Sequence, residues 1–212
     1  MGSFILQLIA SVAGLCVVWF AQSMGKKFLG PPGDPAKRKA KARLHFSKAA
    51  QLLEKSHSSA GTPEAISLAK EADTEIDKAI ALEPSDVSFH MLKSYALEQQ
   101  GSLSGAIESL SAALSIDGAD TVLTSPEMCD ALFRRANLLL STSKGRRNVD
   151  AAMSDLQRCI EISPQNPKIL CKLGLCHEKN KSFADAERIY ERVLLLDFKS
   201  QEARAGLKRL RP

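Results

Sequence analysis

The chain repeats itself with a period of 34 residues. The segments VSFHMLKSYALEQQGSLSGAIESLSAALSIDGAD (87–120) and PKILCKLGLCHEKNKSFADAERIYERVLLLDFKS (167–200) align without a gap. The eighth position is small in both, Ser94 and Gly174, and the twentieth is Ala106 and Ala186. The twenty-fourth is bulky, Leu110 and Tyr190, and each copy closes on an aliphatic-acidic phrase, LSID and LLLD. A third copy begins with CDALFRRANLLL at Cys129 and ends with VDAAMSDLQRCIEISPQN at Asn166. It places Ala136, Ala152, Leu156 and Pro164 in the same phase, with STSKGRRN expected as a bulging connection. A degenerate fourth copy comes first: AKEADTEIDKAIALEPSD supplies Ala72, Ile76, Ala79 and Pro84, after a first helix expected at roughly Ala36 to Ser56. One such unit cannot bury its own apolar face, so the copies must stack.

Composition decides what the unit is made of. Ala, Leu, Lys and Glu are abundant while aromatic residues make up only 5% of the chain, which favours helices over strands. Small residues at Gly174 and Ala186 allow two helices to approach, and Leu170, Leu173, Ile189, Tyr190 and Val193 fill the seam at helical spacing. This pattern resembles the tetratricopeptide repeat family, with KLGLCHEKNKSFADAERIYERVLLLD as the best match. The resemblance runs over about residues 38–212 and departs from the family at the missing Trp of the fourth position, at Leu97 and His177 where Tyr is common, and at Phe198 where Pro is usual. It implies an all-α fold, a superhelical solenoid of helix–turn–helix units. The expected division is residues 1–25 as a transmembrane signal anchor, 26–43 as a Pro/Gly linker with a basic juxtamembrane segment, and 44–212 as the repeat domain. Within the last, repeats are expected at about 44–86, 87–120, 129–166 and 167–200. QEARAGLKRL (201–210) is expected to cap them, with Arg204, Lys208 and Arg209 facing water.

The N-terminus has a different character. FILQLIASVAGLCVVWF (4–20) carries no charge, and with extension to Met24 a helix of that length exceeds the ~30 Å hydrocarbon core. Trp19 and Phe20 stand where interfacial aromatics belong, and the lysines follow at Lys26 and Lys27. A cleaved signal peptide competes, since Ala21-Gln22-Ser23 offers small residues, but no Lys or Arg precedes the apolar run. The basic side therefore stays cytosolic, and residues 4–24 are expected to sit in the bilayer. Leu6 stands where N-myristoylation of Gly2 needs Ser or Thr.

Net charge is localised rather than general. Residues 26–43 hold seven basic residues against Asp34 alone, whereas 44–212 hold 22 basic and 23 acidic residues. A nearly neutral repeat body argues against nucleic acid as a partner. Lys37, Arg38, Lys39, Lys41 and Arg43 are expected either to fix topology or to touch anionic lipid headgroups.

CKLGLCHEKN (171–180) looks at first like a metal or thiol site. Five residues on a helix turn through about 140° beyond one full circle, so Cys171 and Cys176 point away from one another. The spacing is not Cys-x-x-Cys and no second cluster completes a ligand set, so packing is the expected role. His45, His57, His90 and His177 are dispersed, and no P-loop, nucleophile elbow or zinc motif occurs. No catalysis, cofactor or metal is expected. Asn180-Lys181-Ser182 is a glycosylation sequon, which matters only for a luminal domain.

The family resemblance implies a concave groove lined by the second, fifth, sixth and ninth positions of each first helix. Here these include Leu92, Tyr95, Asp130, Phe133, Arg134, Asn137, Lys168, Cys171, Lys172 and Leu175. Relatives that hold acidic C-terminal tails use a carboxylate clamp. Lys168 and Lys172 match its last repeat, whereas Met91, Tyr95 and Arg134 stand where Lys and Asn are required. The expected groove residues are Tyr95, Arg134, Asn137, Lys168 and Lys172, taking an acidic or amphipathic peptide; the plainer expectation is solvated surface with Asp130 pairing Arg134. The layout resembles import receptors of organelle outer membranes. It implies an adaptor or receptor on the cytosolic face of a mitochondrial or plastid outer membrane, or of the endoplasmic reticulum, docking chaperones or precursor proteins. The alternative is a structural or assembly factor of a membrane complex.

Overall fold

A computed structural model of the chain describes residues 34–116, 123–142 and 145–211. The expected bilayer span at residues 4–24 lies outside them. Among the described residues no helix is long and apolar enough to cross a membrane. The chain divides into two units, Met1–Lys41 and Ala42–Pro212. In the first, the described part is the opening of a helix, where Asp34 Oδ1 accepts from Ala36 N at 3.0 Å.

Nine helices make up the described residues: α1 (Pro35–Ser58), α2 (Pro63–Leu82), α3 (Val87–Gln99), α4 (Leu103–Ser115), α5 (Ser125–Ser141), α6 (Arg146–Ile162), α7 (Pro167–Lys179), α8 (Phe183–Leu196) and α9 (Gln201–Leu210). In the second unit, consecutive helices from α2 onward pack as neighbours, which makes a stack of hairpins with α9 against both α7 and α8. The all-helical solenoid expected from the repeat is what forms.

The repeat positions do the packing assigned to them. Ala72, Ala106, Ala152 and Ala186 are each fully buried, as are Ile76, Leu110 and Leu156 one turn later. Ser94 and Ala136 are fully buried at the small position of the facing helices, and Gly174 is buried there too. A Cβ at Gly174 would lie 2.7 Å from Tyr190 Cε1, so only glycine admits this ring. Tyr190 meets glycine on its other side as well, because a Cβ at Gly206 of α9 would overlap the ring. The large side chain is thus held in a slot between two bare backbones, and that slot couples α7, α8 and α9.

Local chemistry starts and stops the helices in register. Asp86 and Asn166 occupy the same repeat position, and each side chain accepts from the backbone N–H two residues on, Ser88 and Lys168, at 3.0 Å. The α3–α4 and α7–α8 turns are also equivalent. Gly101 (φ 78°) and Lys181 (φ 62°) both take the left-handed conformation. Ser102 N donates to Leu97 O at 2.8 Å and Ser182 N to His177 O at 2.9 Å, the bond that closes a left-handed helix end. A lysine in this conformation costs about 1 kcal/mol that glycine avoids.

Three details differ from the sequence reading. α5 begins at Ser125, four residues ahead of Cys129, because Thr124 and Glu127 cap it. Glu127 Oε2 accepts from both Thr124 N and Thr124 Oγ1 at 2.8 Å, which holds its carboxyl below the usual range. The bulging connection is correspondingly short, since Ser141 still belongs to α5 and Arg146 already to α6. Arg209 does not simply face water: its Nε and Nη2 donate to the two oxygens of Glu178 at 2.7 and 2.8 Å.

Candidate functional site

The first helices of the hairpins carry the groove residues, and the structure sorts them into two groups. Tyr95 of α3 and Arg134 of α5 meet, with the guanidinium carbon 3.1 Å above the ring centre. Arg134 also pairs with Glu98 of α3 rather than with Asp130 on its own helix. The i, i+4 pairing expected from the sequence gives way to a contact between hairpins, where stacking on Tyr95 and the Glu98 carboxylate act on Arg134 together. Tyr95 keeps 44% of its surface exposed.

Asn137, Lys168 and Lys172 form the second group. They line one cavity of about 580 Å³ with Phe133, Pro167, Cys171, Asp197, Ser200 and Glu202. Its walls are α5, α7 and the start of α9, with Asp197 and Ser200 from the turn that follows α8. Lys168 is exposed at the first turn of α7. Lys172 stands 3.9 Å from Glu202. A basic clamp for a carboxylate would leave its lysines unopposed, whereas this cavity sets two lysines against two acids. Phe133 and the buried Cys171 give it apolar lining; burial pushes the Cys171 thiol upward despite a 3.7 Å contact with Ser200 Oγ. Such a surface suits a segment that offers an apolar side chain and charges of both signs.

The acids were the missed residues. Glu202 lies 34 residues after Lys168, so extending the repeat phase through the capping helix places it in the groove. Asp197 was visible in LLLD as a closing phrase, with no signal that its side chain lines the cavity. Glu98 had no pattern to mark it.

The Cys-His stretch behaves as packing. Cys171 belongs to the core around Tyr190 and Ala203, while Cys176 belongs to the core around Leu156 and Val149, on the opposite side of α7. Burial pushes the Cys176 thiol up to about 12. His177 Nδ1 lies 4.0 Å from Asp185 Oδ2. Among the described residues no three His, Cys, Asp or Glu side chains gather as a metal site would require. Asn180 of the sequon donates from Nδ2 to Asp150 Oδ1 at 2.9 Å.

Two family models, each described as tetratricopeptide repeat, match residues 145–210 and 69–121, together more than half of the chain. No curated protein matches in sequence. Among solved structures, residues 41 to the end of MamA from Desulfovibrio magneticus RS-1 superpose with a TM-score of 0.64 at 16% identity, over 80% of this chain and 83% of that one. A tetratricopeptide repeat protein from Parabacteroides merdae ATCC 43184 gives 0.58 at 21% identity, over 77% and 59%. PilF of Pseudomonas aeruginosa gives 0.56 at 16% identity, over 82% and 69%. At such identities the superpositions speak for the fold alone. With the buried small-and-bulky pattern of the hairpins and two matching models, the chain belongs to the tetratricopeptide repeat family.

Proposed function

We propose that the protein is an interaction adaptor, held to a membrane by residues 4–24, whose groove docks a segment of a partner protein on the cytosolic face of an organelle outer membrane. The observation that carries the reading is the cavity between α5, α7 and α9, whose lining joins apolar residues to charges of both signs. A short peptide gains burial from the apolar lining and register from the charged groups, the usual division of labour in peptide recognition. The opposed acids Asp197 and Glu202 favour a partner segment of mixed charge over a purely acidic tail. Lys37, Lys39, Lys41 and Arg43 are exposed along the first turns of α1, where they suit contact with anionic headgroups at about 1 kcal/mol each.

A photo-crosslinking residue at Asn137 tests the groove, with the same residue at exposed Arg188 as the control. A partner captured at Asn137, not at Arg188, and lost in the K168E/K172E double variant is the expected result. Equal capture at both positions, or capture indifferent to the charge reversal, overturns it. Digestion of a C-terminal tag on intact organelles is expected without detergent; a protected tag places the repeats on the other side.

A further inference from the structure

Cys129 and Cys159 have no part in the groove, yet they face each other across the antiparallel pair α5–α6. Cys159 Sγ lies 3.3 Å from the Cys129 carbonyl oxygen, and Cys129 Sγ lies 4.0 Å from the Cys159 carbonyl oxygen. These reciprocal contacts bring each thiol against the other residue's backbone across the α5–α6 seam, the neighbourhood from which a disulfide can form. Both are free thiols here, and they differ in access: Cys159 is fully buried, whereas Cys129 is partly open to solvent. Cys171 belongs to another core, and Cys176 shares the core of Cys159 without a sulfur contact of the reciprocal kind that joins Cys129 to Cys159 among the described residues.

We infer that Cys129 and Cys159 form a reversible disulfide site, which gives up two electrons to a small disulfide oxidant and then staples the start of α5 to the end of α6. The thiolate of Cys129 attacks one sulfur of the oxidant, forming a mixed disulfide and releasing one thiolate. Cys159, on losing its proton, attacks Cys129 Sγ, forming the protein disulfide and releasing the second thiolate. Two protein thiols and one small disulfide thus become one protein disulfide and two small thiols, with two electrons passing to the oxidant. The order of attack follows access: the partly open Cys129 reacts first, and Cys159, whose thiol burial pushes up to about 12, resolves it. The staple fixes the helix that carries Phe133, Arg134 and Asn137, so oxidation stiffens one wall of the groove.

The test uses the full chain in detergent solution, treated with oxidised glutathione and mapped by mass spectrometry. The expected product has lost two titratable thiols and two hydrogens in mass. It yields a crosslinked peptide pair joining Cys129 to Cys159 and reverts with dithiothreitol. Hydrogen exchange over the first turns of α5 is expected to slow in the oxidised form. C129S at the partly open position is expected to abolish the link while leaving the fold. A stable glutathione adduct on Cys129 without a crosslink, an unmodified Cys129, or Cys129 linked to another cysteine would each overturn the inference.

Discussion

The first and last hairpins of the repeat domain solve the same packing problem with opposite materials. At the C-terminal end one large ring, Tyr190, fills the slot between Gly174 and Gly206. Its hydroxyl donates to Glu178 Oε2 at 3.0 Å, and Arg209 grips the same carboxylate, holding Glu178 below the usual range. At the other end the seam between α1 and α2 is built from Ala42, Ala49, Ala72, Ile76 and Ala79, all fully buried. The rings at this end, Phe46 and Phe89, lie against each other at 5.3 Å between centroids, and a buried carboxylate ties α1 to α2. Glu75 accepts from His45 Nδ1 at 2.7 Å and from Lys48 and Lys78 Nζ at 3.0 Å. His45, Lys48 and Lys78 in that order lower its pKa to about 2. Bulk with a matching void fastens one end, and charge the other.

That contrast can be broken first at Tyr190. Tyr190→Ala is expected to cost about 4 kcal/mol, since it empties a buried aromatic site. Tyr190→Phe, which keeps the bulk and leaves Glu178 with Arg209, is expected to cost about 1 kcal/mol. Urea unfolding of the two variants checks the ratio; equal losses would mean that the hydroxyl, not the slot, fastens α9.

Glu75→Gln comes next, with an expected loss of about 2 kcal/mol at neutral pH from weakened charge-assisted bonds. Its sign with pH is set by a carboxyl whose folded pKa is depressed to about 2 against roughly 4.3 unfolded. Between those values the unfolded chain binds more protons, so the stabilisation is full above about pH 4.5 and fades as pH falls towards 2. The protection factors of amides in α1 and α2, which are corrected for the intrinsic pH dependence of exchange, should therefore fall on acidification in the parent chain and much less in the variant. Identical acid sensitivity would assign the effect to another group.

The smallest expected effects compare the caps. Asn166→Ala at α7 and Thr62→Ala at α2, whose Oγ1 accepts from Ala65 N at 3.2 Å, are each expected to cost about 1 kcal/mol. Exchange measured helix by helix should confine each loss to its own hairpin and its neighbour, as nearest-neighbour stacking requires. A loss spread evenly over the whole stack would show a more cooperative domain.

Positions of a size pattern were legible in the sequence because burial leaves only one class of residue tolerable there. Ala106, Ala152 and Ala186 sit at zero exposure for that reason, and the Asp86 and Asn166 caps recur because each helix start leaves the same N–H groups unpaired. Interactions between hairpins were not legible. Glu98 reaches Arg134 and Arg209 reaches Glu178 across different elements, at separations that follow from the stacking geometry and no local period. The groove suffered most: its lysines were read from their positions, but the acids that oppose them come from a turn and from the capping helix. Gly206 was equally silent, since a glycine in a short amphipathic helix has no signature until the ring it faces is known. Thr124 and Glu127, in contrast, spell a recognisable helix start that moves α5 ahead of Cys129.

The slot around Tyr190 also bears on truncation. A chain cut before Gln201 would keep Gly174 against one face of the ring and lose Gly206 from the other. That face would be left as an uncovered apolar surface, and Glu178 would be without Arg209. α9 therefore acts as the seal on the hairpin before it, and its loss would turn a packed ring into an adhesive patch.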